Sequence, residues 1–153
     1  MKQMLTKFKL QVIKEKEYEY SCSRQKISDP YDLVQVCFKT LELTKEPEEV
    51  FGMITLDTKN NITGYFEVSR GNLNSSIVHP REVFKRAILQ NAFSVAFIHN
   101  HPSGESEPSH EDTVLTNRLE ECGKILGIKL LDHIIIGDED RKNYFSFKEE
   151  GML

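Results

Sequence analysis

The sequence predicts a single α/β domain with a mixed β-sheet flanked by helices. Three observations predict it. Apolar strand-like runs alternate with stretches of helical periodicity. The 153 residues, 39% hydrophobic and 29% charged, have the size and balance of one globular domain. No internal repeat and no low-complexity linker divides the chain.

Taken in order, Phe8, Leu10 and Val12 alternate with Lys9 and Gln11, the pattern of a strand with one buried face. Residues 14–20 turn polar and aromatic, as in an edge or arm. Lys7, Lys9, Lys14 and Lys16 read as a solvated face rather than a phosphate-binding stripe. Ser28-Asp29-Pro30 starts a helix, with Ser28 or Asp29 as cap and proline in its first turn. Val34, Cys37, Phe38 and Leu41 then follow helical spacing. Residues 1–45 are therefore expected to be a strand-and-helix extension packed on a core of residues 46–153.

In that core, Glu49 to Asp57 reads as a strand, 58–61 as a turn and Ile62 to Val68 as the returning strand of a hairpin. Leu73 to Val78 is a further candidate strand. Pro80 opens a helix with Val83, Phe84, Ala87 and Ile88 inward. Phe93 to Ile98 is a six-residue apolar run, expected to be a strand covered on both faces. Ser109 caps a helix with Leu115, Leu119, Cys122 and Leu126 inward, ending at Gly127. Ile128 to Ile136 is a strongly apolar strand, and Asn143 to Phe147 a short last one.

The chemistry sits where the apolar run ends. His99 and His101 are two residues apart, so in a strand they point the same way, about 6.5–7 Å apart along the chain. Pro102 and Gly104 then turn the chain, and Gly104 can supply a backbone conformation closed to other residues. Asp112 lies in the first turn of the following helix, where its carboxylate can point back at the histidines. Two imidazoles and a carboxylate leave a fourth position open on a bound metal.

His-x-His, seven residues, Ser, two residues and Asp resembles the motif of the JAMM (MPN-plus, JAB) metallopeptidases. The words His99-Asn100-His101-Pro102-Ser103-Gly104, Pro108-Ser109-x-x-Asp112 and Leu131-Asp132-His133-Ile134-Ile135-Ile136-Gly137 resemble its RadC branch. His79-Pro80-Arg81-Glu82 matches a further word of that branch. The likeness runs from about Ile27 to the C-terminus. It implies the JAB/MPN, cytidine-deaminase-like architecture and one Zn²⁺ per chain held by His99, His101 and Asp112. It also implies a non-ligand carboxylate upstream as general base. The residues alone leave Glu48 and Glu49 both open, as neighbours expected on opposite faces; the resemblance favours Glu49, with Glu67 as outsider. Ser109 matches the serine credited with stabilising the oxyanion, a role that competes with helix capping. Asp132 and His133 are candidates for orienting a ligand from behind or for ordinary core hydrogen bonds. His110 is expected in solvent. Arg81 has two candidate roles, contacting substrate or tying its helix to the sheet.

The function expected is a zinc-dependent hydrolase cleaving a peptide or isopeptide bond. The alternative is a DNA-repair-associated accessory module whose metal site is structural or vestigial. The helical, DNA-binding-like region that often precedes the domain in RadC proteins has no counterpart in this sequence. A formal charge of −4 argues for weak or no nucleic-acid binding. Cys22, Cys37 and Cys122 are odd in number and widely spaced, as expected of reduced cytoplasmic thiols, with Cys122 placed in the core. No transmembrane run or signal peptide is expected. Nothing in the sequence sets the oligomeric state.

Overall fold

Val50–Leu56 (β1) and Ser94–Asn100 (β3) are buried at every position and form the centre of the sheet. The structure, a computed structural model, describes residues 3–20, 26–71, 78–140 and 142–153. Around the central pair lie Ile62–Arg70 (β2), Lys129–Ile136 (β4) and Tyr144–Ser146 (β5), in the order β2-β1-β3-β4-β5. β3 and β4 run parallel, and the other neighbours are antiparallel, so the sheet is mixed.

Among the described residues, three α-helices flank it. Pro30–Gln35 (α1) continues as a wider turn over Val36–Thr40, where Leu41 N reaches the Val36 carbonyl five residues back at 3.0 Å. Its Leu33, Val34, Cys37 and Phe38 pack on Ile54, Leu56, Ala96, Ile98 and Ile134. Pro80–Leu89 (α2) and His110–Leu126 (α3) cover the other face, where Val83, Phe84, Leu115 and Leu119 meet Phe51, Met53, Val95 and Phe97. Burying a side chain of this size stabilises by about 1.5–3 kcal/mol, so both faces of the sheet anchor the fold. The strands and helices expected of residues 46–153 appear, apart from the candidate strand from Leu73, of which residues 73–77 lie outside the described residues.

Several expectations change. Residues 8–12 form no strand: the arm, 3–20, has no ladder partner among the described residues, and Phe8 and Leu10 are 84% and 78% exposed. Alternation shows that a segment suits a sheet edge; it cannot supply the neighbouring strand. Ile88 and Leu126 point outward instead of into the core. Cys37 is the buried thiol, whereas Cys122 is only partly covered; Cys22 lies outside the described residues. Among the described residues no helix is long and apolar enough to cross a membrane.

Parallel strands need a crossover, and here it is α3. The helix therefore starts beside the carboxyl end of β3 and returns the chain to the start of β4. That junction, a strand end facing a helix start, carries the histidines and Asp112.

Candidate metal centre

Alternation along β3 sends Val95, Phe97 and His99 to the α3 side and Ala96, Ile98 and Asn100 to the α1 side. His101 lies just past the strand, but its N–H donates to the Ile136 carbonyl at 2.8 Å and so prolongs the pairing with β4. It therefore keeps the side of His99. The chain then turns at Gly104, whose φ of +84° lies in the region that favours glycine. The Gly104 carbonyl accepts from Asp138 N at 3.1 Å and Asn143 Nδ2 at 2.8 Å. A Cβ on Gly137 would stand 2.4 Å from that carbonyl, which is why glycine follows β4 there.

Asp112 is aimed by the cap of α3. Ser109 Oγ accepts from Asp112 N at 3.1 Å, while Ser109 N and Oγ each donate to Asp112 Oδ2 at 2.7 Å. The Ser-x-x-Asp pattern thus makes a capping box that also turns the carboxylate toward the strand.

The three side chains converge. His99 Nε2 and His101 Nε2 are 3.0 Å apart; His99 Nε2 lies 3.4 Å from Asp112 Oδ1, and His101 Nε2 lies 3.5 Å from Asp112 Oδ2. Taking one donor atom from each residue, the set lies within 4.8 Å. A tetrahedral ion with bonds of about 2.0–2.1 Å has ligand-to-ligand edges near 3.4 Å, so these spacings fit. His101 Nδ1 lies 2.8 Å from the Glu105 carbonyl, which only accepts, so the proton belongs there and Nε2 is left bare. Burial lowers the His99 pKa to about 3, with only partial opposition from the Asp112 charge. A neutral His99, a bare His101 Nε2 and a carboxylate form a set of acceptors that a cation can satisfy together. These three residues can hold a metal ion.

The charges support one another. Burial alone would push the Asp112 carboxyl upward, but the neighbouring His101 and His99 rings and the hydrogen bonds from Ser109 hold it well below the usual carboxylate range. Burial opposes protonation of His101, yet Asp112, the Glu105 carbonyl and the Glu49 charge together raise its pKa.

Behind His99, its Nδ1 lies 2.8 Å from His133 Nε2, and His133 Nδ1 lies 2.6 Å from Thr116 Oγ1. The His133 ring stacks on Phe147 at 4.9 Å and 6° and meets Phe51 and Phe97 edge-on. Asp132 faces the α1 side instead, where it binds Ser146 Oγ at 2.6 Å and two backbone N–H groups. The adjacent pair therefore separates: His133 joins the centre and Asp132 does not.

A cleft of about 640 Å³ opens onto the centre, lined by His101, Ser109 and Asp112 with Pro47, Glu48, Glu49, Gly71, Pro102 and Ser103. Both glutamates line it, Glu49 half-buried and Glu48 exposed. The expectation that they point to opposite faces does not apply, because β1 begins only at Val50 and the preceding residues do not alternate. Asn100 Oδ1 accepts from Val50 N at 2.8 Å, and Asn100 Nδ2 donates to the Glu48 carbonyl at 3.0 Å. That buried amide pins the stretch carrying both glutamates to the end of β3. Glu67 is tied to Arg70. Arg81 pairs with Glu82 on the surface, and His110 is exposed. Thr116 and the clamping role of Asn100 escape sequence inspection, since each acts through contacts distant in the chain or one helical turn away; only the helical i, i+4 spacing of Asp112 and Thr116 was available as a signal.

Comparison with known proteins places this geometry. A family model described as the RadC-like JAB domain matches residues 27–152. A UPF0758 protein of Trichlorobacter lovleyi is 57% identical over 112 residues, covering 73% of this chain and 47% of the relative. UPF0758 proteins of Clostridioides difficile and Methanosarcina mazei are 50% and 48% identical over 130 residues, covering 85% of this chain and 53% and 55% of theirs. The chain spans about half the length of these curated relatives. With the match reaching over both faces of the sheet and every residue of the His-His-Asp centre, the chain belongs to the RadC-like JAB domain family.

Proposed function

We propose that the protein is a zinc-dependent hydrolase that cleaves a peptide or isopeptide bond with a metal-activated water, using one Zn²⁺ per chain. The observation that carries this reading is Glu49 on the wall of the cleft that opens onto His101 and Asp112. A structural zinc is more often closed by a fourth Cys or His, whereas three ligands facing a cleft leave a side for substrate. Imidazole with carboxylate suits Zn²⁺, although Mn²⁺, Fe²⁺ or Ni²⁺ can substitute at such sites.

Bound there, zinc would bring the pKa of a water toward about 7 and polarise a carbonyl beside it. Glu49 accepts the proton of the attacking water and returns it to the departing amine. Its charge already acts on His101, which supports its nearness to the reacting atoms. Ser109 lines the same cleft, so turning its hydroxyl away from Asp112 Oδ2 would offer a donor to the developing oxyanion. His133 holds His99 in orientation from behind. The partner is a peptide or protein substrate. With a −4 charge, nucleic-acid binding is weak or absent, and the unpaired buried thiol of Cys37 suits the cytoplasm.

The test is metal content of the purified chain, followed by hydrolysis of peptides and isopeptide-linked conjugates. One zinc per chain with metal-dependent cleavage is expected. Absence of stoichiometric metal would remove the reading. Fluorescence anisotropy with labelled DNA addresses the alternative: submicromolar binding persisting at about 150 mM salt would favour a nucleic-acid-associated module instead.

A further inference from the structure

A run of short contacts leads from Asp112 back to His99 through residues outside the ligand set. Thr116 Oγ1 lies 2.6 Å from the Asp112 carbonyl oxygen. The same Oγ1 lies 2.6 Å from His133 Nδ1, and His133 Nε2 lies 2.8 Å from His99 Nδ1. Thr116 and His133 are fully buried. On the far side, His99 Nε2 faces His101 Nε2 at 3.0 Å.

A chain of neutral imidazoles of this kind has two polarities. In one, the hydroxyl donates to His133 Nδ1, His133 Nε2–H donates to His99 Nδ1, and His99 turns an N–H toward the ligand site. In the other, every hydrogen points the opposite way and His99 Nε2 is bare. The oxygens choose between them. Two oxygens 2.6 Å apart need a hydrogen between them, and a carbonyl has none, so the Thr116 hydroxyl donates to Asp112. Oγ1 then accepts from His133 Nδ1–H. His133 Nε2 is bare and accepts from His99 Nδ1–H. His99 Nε2 keeps only its lone pair, the form a metal requires.

We propose that Thr116 is a positioning residue for the metal: its hydroxyl, acting through His133, holds His99 in the tautomer that can ligate. The inference rests on the metal-centre reading and deepens it. The same helix would then serve the ion twice. Asp112 supplies a ligand, and Thr116, one turn later, prepares a ligand on a different element. Removing the hydroxyl deprives His133 Nδ1–H of its acceptor. The reverse polarity is then favoured, and metal binding must move the ring protons of two imidazoles to their other nitrogens.

The experiment uses the full chain stripped of metal. Nitrogen-detected proton correlation of the imidazoles reads the tautomers, and Zn²⁺ titration against a competing chelator reads affinity. In the wild type, His99 should carry its proton on Nδ1. Thr116→Val should move it to Nε2 and weaken Zn²⁺ binding by about 10–100-fold, the usual effect of losing an outer hydrogen-bond partner. Thr116→Ser, which keeps the hydroxyl, should restore both. If Thr116→Val does not fold, Thr116→Ala removes the same hydroxyl without a branched side chain. A folded Val or Ala variant with wild-type affinity and tautomer overturns the proposal, as does a wild-type His99 protonated on Nε2. A wild type that takes up no Zn²⁺ is a different failure: it removes the metal centre, while the tautomers still report whether Thr116 controls His99.

Discussion

Asp132 and His133 are neighbours on β4, and both are buried, yet they serve opposite sides of the sheet. On the α1 side, the Asp132 carboxylate has donors for both oxygens: His133 N at 2.7 Å, Lys148 N at 3.1 Å and Ser146 Oγ at 2.6 Å. It ties the turn after β5 to β4. On the α3 side, the three residues His99, His101 and Asp112 present acceptors toward one point. A complete set of hydrogen-bond partners marks a buried polar group that shapes the fold. A convergence of acceptors marks one that awaits a cation.

The largest test breaks the two sides apart. His99→Ala or Asp112→Ala should abolish stoichiometric metal in inductively coupled plasma analysis, because two ligands cannot hold what three do. Asp132→Ala should leave metal content intact and lower stability to urea by about 2–4 kcal/mol, since it strands several buried donors. Metal loss in Asp132→Ala, or its retention in both ligand variants, would erase the distinction.

Within the metal side, Glu49→Gln separates chemistry from binding. Zinc should remain, and hydrolysis of a responsive substrate should fall by about two to four orders of magnitude. Glu48→Gln is the control. Loss of activity with Glu48→Gln alone would transfer the base to its neighbour, and loss of zinc with Glu49→Gln would make it a ligand.

How far the sequence reveals this contrast depends on the range of each contact. The ligands are legible because His-x-His at a strand end and Ser-x-x-Asp at a helix start are local patterns with fixed directions. The divergence of Asp132 and His133 is not. A bulge pairs Val95 with Leu130 but Ala96 with Asp132, so Leu131 is extra and the faces of β4 exchange in mid-strand. Alternation would have put Asp132 with Leu130, on the α3 side. The arm misleads for a related reason: its pattern is that of a strand, but pairing depends on residues elsewhere. The two glutamates remain unresolved by periodicity because they precede the strand, and the Asn100 amide that fixes them bridges fifty residues.

A smaller effect concerns pH on the metal side. The His101 pKa is raised by its neighbours against the effect of burial, so a proton competes for Nε2 up to a higher pH than at an ordinary histidine. Zinc affinity should therefore rise with pH through the neutral range and level off above the raised value. Titrations at pH 6, 7 and 8 check this, with up to about tenfold per pH unit expected below the pKa. Affinity that is flat from pH 6 to 8 would mean that His101 is already deprotonated there.

The smallest effect lies on the Asp132 side, where two forces oppose each other. Burial disfavours the charged carboxylate, while three donors favour it; burial prevails and the pKa is raised above its ordinary value. The sign follows directly. A carboxyl more basic in the folded than in the unfolded chain stabilises fully below the unfolded pKa, and that contribution is lost as pH rises through the folded one. Asp132→Asn removes the ionisation but keeps an oxygen for the two backbone donors and an amide facing Ser146. From pH 4 to pH 7 the Asn variant should gain on the wild type in urea unfolding, by about 1.4 kcal/mol for every pH unit that separates the folded pKa from the unfolded one. The double difference cancels the titration of every other group. If the wild type instead gains on the variant as pH rises, the three donors outweigh burial, and Asp132 is a carboxylate held by its hydrogen bonds rather than an acid held by the core.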